Sequence, residues 1–99
     1  MNYKINLQIG SESTEGSMSI DGYEYEIEFE FNDLLFESKT FSQGEGSLKF
    51  KMFSGSSVYS LVLELEEEGA YFGEYREIER QTGLPEKVLF SEEVKLQIV

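Results

Sequence analysis

The chain has no cysteine, no histidine and no tryptophan, and one proline, Pro85. Without cysteine there is no disulfide, no thiolate nucleophile and no zinc–cysteine site. Without histidine, Ser-His-Asp and Cys-His catalytic devices, imidazole metal ligands and the usual switch near neutral pH are excluded as well. No run approaches the ~18 apolar residues that a membrane-spanning helix needs. The opening Met1–Asn6 has no apolar segment of a secretory signal, which gives a cytoplasmic expectation.

Bases are scarce too. Eight Lys and Arg stand against 20 Asp and Glu, a formal charge of -12 on 99 residues. Such a surface repels nucleic acid and anionic membranes, whose binders carry basic patches. The imbalance exceeds the ~2–8 charges that keep a small domain soluble, and its self-repulsion costs stability. A host with high internal salt would favour acidic proteins generally. The six lysines and the full apolar content argue against that explanation.

What the chain has in quantity is aromatic and aliphatic residues placed with a period of two. Eight Phe and six Tyr, with many Leu, Ile and Val, are too apolar for a disordered acidic tail. The length suits one domain. Residues 23–31, Tyr-Glu-Tyr-Glu-Ile-Glu-Phe-Glu-Phe, alternate strictly, so a strand here has one apolar face and one carboxylate face. Asn2–Ile9 alternates likewise, with Tyr3, Ile5, Leu7 and Ile9 on one side. Gly10–Gly16 reads as a polar loop. Asp21-Gly22 reads as a two-residue hairpin turn pairing Ile20 with Tyr23 and Met18 with Tyr25.

Asn32-Asp33 makes the next turn, before a strand near Leu34–Phe41. Ser42–Gly46 reads as a hairpin loop, since it lacks the Lys and following helix of a phosphate-binding loop. Ser47–Phe53 and Val58–Leu65 follow as strands, the latter with Leu61, Leu63 and Leu65 inward. Residues 70–82 fit a strand, with Tyr71, Gly73 and Tyr75 on one face. A short helix near 74–82 is the alternative, disfavoured by Gly69 and Gly73. Val88–Phe90 and Val94–Val99 complete the count. The expectation is all-β: an up-and-down antiparallel barrel of eight or nine short strands, filled by its aromatics, with a two-sheet sandwich second.

The residues with most to say about function are glutamates. Alternate residues of a strand lie ~6.8 Å apart, so Glu24, Glu26, Glu28 and Glu30 form a regular anionic row. Such a row suits a Lys/Arg-rich protein surface, attracting it at long range and fixing register on contact. Glu64, Glu66, Glu67 and Glu68 form a second candidate patch. Mimicry of duplex DNA would need at least two rows side by side, because DNA carries one charge per ~1.7 Å. The plainest reading is a solvated face whose glutamates pair with Lys49, Lys51, Arg76 or Arg80. Aromatics at strand period are expected in the core; Phe41, Phe53 and Phe72 fit the inward set less well, and one or two of them are candidate surface anchors, with core the favoured reading.

Paired carboxylates do not imply glycoside hydrolysis here. The i,i+2 spacing of any strand falls within the ~6.5–9.5 Å of an inverting enzyme. With two Asp and no calcium-loop pattern, Glu66-Glu67-Glu68 reads as a charged turn rather than a metal site. The sequence therefore predicts a monomeric, non-enzymatic binding protein with no cofactor, catalytic residue or metal. Its expected task is that of an inhibitor or immunity-type antidote for a basic partner, such as a toxin or a nucleic-acid-handling enzyme. A barrel that carries an apolar small molecule is the alternative expectation.

Overall fold

Period-two patterning gives each segment one side that must leave water, and a meander of such strands buries all those sides by curling round on itself. The computed structural model describes all 99 residues and contains eight antiparallel strands. They are β1 Asn2–Ile9, β2 Glu12–Asp21, β3 Glu24–Phe31, β4 Leu34–Phe41, β5 Ser47–Ser54, β6 Ser57–Glu67, β7 Ala70–Glu79 and β8 Lys87–Ile98. Their order in the single sheet is β4-β3-β2-β1-β8-β7-β6-β5, an up-and-down barrel closed between β1 and β8 and left without a ladder between β4 and β5. There is no helix, so 70–79 is strand as its glycines require.

The interior is filled. Ile5, Leu7, Ile9, Met18, Ile27, Phe29, Phe36, Phe50, Leu61, Leu63, Val94 and Leu96 are almost fully buried, and no polar residue is buried with them. Tyr75 lies among the rings of Phe29, Phe31, Phe36, Tyr59 and Phe90, at centroid distances of 5.5 to 6.5 Å. Phe29 and Phe36 stack at 5.0 Å.

Two inward positions have no side chain because the strands approach too closely there. A Cβ at Gly73 would collide with the Val62 carbonyl oxygen, and one at Gly16 with the Glu28 carbonyl oxygen and, at 2.8 Å, with the Phe29 Cβ. Glycines at such points let strands coil tightly enough to close a barrel.

Four local expectations need correction. Glu12–Asp21 is one continuous strand, so the turn after β1 is only Gly10 and Ser11. Its polar composition hid it, because two of its inward positions are Thr14 and Gly16. Thr14 Oγ1 donates to the Glu30 carbonyl oxygen at 2.8 Å.

The β2–β3 hairpin turns on Gly22-Tyr23 instead, pairing Asp21 with Glu24, Ile20 with Tyr25 and Met18 with Ile27. Positive φ at Gly22, the first loop residue, is the pattern of a type II′ turn. A shift of two residues moves Tyr23 out into the turn but leaves the side chains of both strands on their expected faces, so alternation alone did not reveal it.

Leu65 is exposed, because Glu66 is an extra residue in β6 against β7 and the barrel wall ends there. Finally, the expected strands Val88–Phe90 and Val94–Val99 are one strand, β8, which runs unbroken through Ser91-Glu92-Glu93, carries a bulge at Leu89 and ends at Ile98.

Candidate functional site

Strand β3 is internal to the sheet, with its ladders to β2 and β4 satisfied, so its outer face is held rigid. Ile27, Phe29 and Phe31 are buried, which forces Glu26, Glu28 and Glu30 outward as exposed side chains, with Glu24 half-buried at the start of the row. The row expected from the sequence therefore stands together on the outer face of one strand.

Its neighbours do little to neutralise it. On the β2 side stand Ser19 beside Glu26 and Ser17 beside Glu28. On the β4 side, Glu24 faces Phe41, Glu26 faces Lys39, Glu28 faces Glu37 and Glu30 faces Leu35. Lys39 pairs diagonally with Glu24 at 2.8 Å. The hydrogen bond to Glu24 and then its charge, with Glu26 beyond, raise the Lys39 pKa above the ordinary lysine value. The other ion pairs, Arg76–Glu74 and Arg80–Glu86, lie elsewhere. Residues 10–41 carry nine of the acids and one base. Glu28 opposite Glu37 is a direct cross-strand pair of like charge, an arrangement that costs a sheet stability.

Exposed apolar side chains border this row. Leu35 and Phe41 sit on the outer face of β4, and Tyr23 projects from the β2–β3 turn. Phe53, also exposed, lies beyond the seam on β5, towards the same end of the barrel as Leu35. Phe41, Phe53 and Phe72 are all exposed, which corrects the expectation of core positions for most of them and leaves each free as a surface contact. Aromatic anchors beside a polar field are the usual make-up of a protein-binding patch.

The second acidic group is somewhere else. Glu64 and Glu66 lie on β6, with Glu67 and Glu68 at its end, and β4 and β5 separate this strand from β3. Glu64 and Glu66 line a broad outer trough of about 1160 Å³ over β6, β7 and β8 with Glu74, Glu93, Phe72, Arg76 and Lys95. Glu67 and Glu68 do not line it. This trough mixes both signs of charge. The eight glutamates thus form two separate groups, and the β3 row has no parallel acidic row beside it of the kind duplex mimicry would need.

A third feature was not visible as a pattern in the sequence. At the end of the barrel bearing the β3–β4 turn, Phe31, Asn32, Leu34, Tyr59, Tyr75, Glu77 and Phe90 line a cavity of about 80 Å³. Glu77 Oε2 accepts hydrogen bonds from Ser57 Oγ at 3.2 Å and Tyr59 OH at 3.3 Å. Burial, then the charge of Glu77, raises the Tyr59 pKa. Burial, then Tyr59 and Glu77, raises that of Tyr75 further. The signal that could have found it was Glu77 itself, a carboxylate on the inward parity of Tyr71, Gly73 and Tyr75.

A scan of protein-family models, a search of curated proteins and a search of solved structures each find nothing that matches this chain.

Proposed function

We propose that the chain is a non-enzymatic binding protein that docks the outer face of β3 and β4 on a Lys/Arg-rich surface of another protein, acting there as an inhibitor or antidote. The observation that carries this reading is the Glu28–Glu37 pair within the row Glu24–Glu30. Glu26, Glu28 and Glu30 have no ion-pair partner in the chain, yet a single Lys or Gln at Glu28 would remove a repulsive contact. Carboxylates kept together against their own repulsion are accounted for by a cation supplied from outside. Leu35, Phe41 and Tyr23 would supply apolar contact, while the glutamates set encounter rate and register.

A small all-β domain with its core fully packed suits the task, since a rigid face loses little freedom on binding. The filled interior weighs against the alternative of an apolar cargo. The 80 Å³ at the barrel end is far below the ~300–1,000 Å³ of drug-sized ligand pockets.

The test is capture from lysate with the immobilised wild-type chain, a Glu26→Lys/Glu28→Lys variant and a Glu66→Lys/Glu67→Lys variant, each at low and high salt. The expected result is a basic protein that is retained at low salt, released at high salt and lost with the first variant alone. Equal capture by all three chains would refute it.

A further inference from the structure

The cavity at the end of the barrel has the make-up of a receptor for a small organic cation. Its walls are the rings of Phe31, Tyr59, Tyr75 and Phe90. Phe31 lies 5.5 Å from Tyr75 and 5.9 Å from Phe90, Tyr75 lies 6.2 Å from Phe90, and Tyr59 lies 6.5 Å from Tyr75. These rings are inclined to one another by 51 to 83°, so they stand as walls at different angles rather than as one flat stack.

The one carboxylate among them is Glu77. Both hydroxyl donors, Ser57 and Tyr59, occupy its Oε2, which leaves Oε1 free of protein partners. Aromatic faces carry negative potential, and the carboxylate adds a full charge.

Backbone irregularities gather at the same place. Leu89 is an extra residue in β8 where Phe90 pairs with Glu77 and Val88 with Ile78, and this bulge sets Phe90 beside Glu77. On the facing rim, Asn32 and Asp33 both adopt positive φ, 51° and 61°, where an Asn-Gly pair would be the easiest sequence. Bulges and left-handed non-glycine residues concentrate at binding sites.

We propose that this cavity binds the methylated ammonium head of a small molecule. Size and chemistry both select that group. With a water's share of volume near 30 Å³, 80 Å³ holds a compact head of a few heavy atoms and not a ring system. A primary ammonium gives up three strong hydrogen bonds to water on entering a cavity walled mainly by rings, where the free Oε1 is the one charged acceptor. A methylated ammonium needs no acceptors, only rings and a counter-charge. The net charge of -12 draws any cation towards the molecule, so the site must be separated experimentally from that general attraction.

The probes are choline, ethanolamine and 3,3-dimethylbutan-1-ol, the uncharged analogue of choline, titrated into the folded protein at fixed ionic strength. Proton NMR of the ligand methyl groups and calorimetry read the binding. The expected result is saturable choline binding with its methyl resonances moved upfield by the rings, and binding of the other two weaker by about ten-fold. Glu77→Gln should lose about ten-fold in choline affinity together with the preference over the neutral analogue, and Phe90→Leu should also bind more weakly. Glu26→Gln/Glu28→Gln, on the outer face, should bind choline as the wild type does. Circular dichroism establishes that each variant is folded. Absence of saturable binding, equal affinity for the neutral analogue, tighter binding of ethanolamine, an unchanged Glu77→Gln, or an equal loss in the outer-face variant would each overturn the proposal.

Discussion

The Ser38 hydroxyl spans the gap between the two unladdered strands of the barrel, donating to the Lys51 carbonyl oxygen at 2.7 Å and accepting from the Lys51 amide at 3.1 Å. One side chain thereby does what a backbone residue does elsewhere in the sheet, and it holds β4 against β5. Ser38→Ala leaves both Lys51 groups without these partners. The expected loss is about 1–2 kcal/mol in urea unfolding, with faster hydrogen exchange at the Lys51 amide. Opening the seam also bares two strand edges, so the variant should self-associate more readily in light scattering.

Gly73 has the opposite character, since its importance lies in what it lacks. A methyl group there meets the backbone oxygen of Val62, which cannot swing aside like the end of a side chain. Gly73→Ala should cost about 3 kcal/mol or more, or prevent folding. Gly55, in the β5–β6 turn, has φ +59° and open space around it, so Gly55→Ala should cost only about 1 kcal/mol. Thermal denaturation of the pair distinguishes backbone collision from conformational preference.

Glu28→Lys should stabilise the protein, because it turns the repulsive contact with Glu37 into an attractive one. A gain of about 0.2–1 kcal/mol is expected at low ionic strength, shrinking as salt screens the charges. The same substitution should weaken partner capture. A stabilising change that harms binding is what a face selected for docking predicts.

Alkaline unfolding should carry the mark of Tyr59, Tyr71 and Tyr75, all of whose pKa values are raised above the ordinary 10.0, first of all by burial. Below pH 10 these tyrosines hold their protons whether folded or unfolded, so their contribution is fully present. Above it the unfolded chain releases protons that the folded one retains, and stability falls as pH rises through the raised values. Tyr75 faces Tyr59 and Glu77, and its shift is the largest of the three. Tyr75→Phe should therefore lose stability less steeply than wild type between about pH 9 and 11.5. Parallel slopes for the two proteins would contradict the assignment.

Fold class was legible in the sequence because burial in a filled barrel obeys alternation, and Tyr23–Phe31 displays that alternation without a break. The direction of every side chain on β3 followed from it. Pairing partners did not, since Met18 opposite Tyr25 and Met18 opposite Ile27 leave the same faces buried. The first half of β2 went unseen because Thr14 and Gly16 are small where a barrel corner demands it. β8 reads as two strands because Ser91-Glu92-Glu93 is polar and exposed and places a glutamate, Glu92, at the position of inward parity between Phe90 and Val94. The acidic row was legible as a row, whereas its distance from Glu64–Glu68 depended on the order of strands around the barrel. Glu77 escaped notice because a glutamate on an inward position looks like a break in pattern, and only the neighbouring rings give it meaning.

Docking through β3 requires that charge act from a particular face and not merely in total. Glu26→Lys/Glu28→Lys on β3 and Glu74→Lys/Glu93→Lys on the trough over β7 and β8 change net charge equally, and the affinity of each for the captured partner, measured by calorimetry at one salt concentration, separates the two cases. The β3 variant should lose about ten-fold or more in affinity and the other should change little. Equal losses would show that the partner reads only overall charge, and the docking face would be withdrawn.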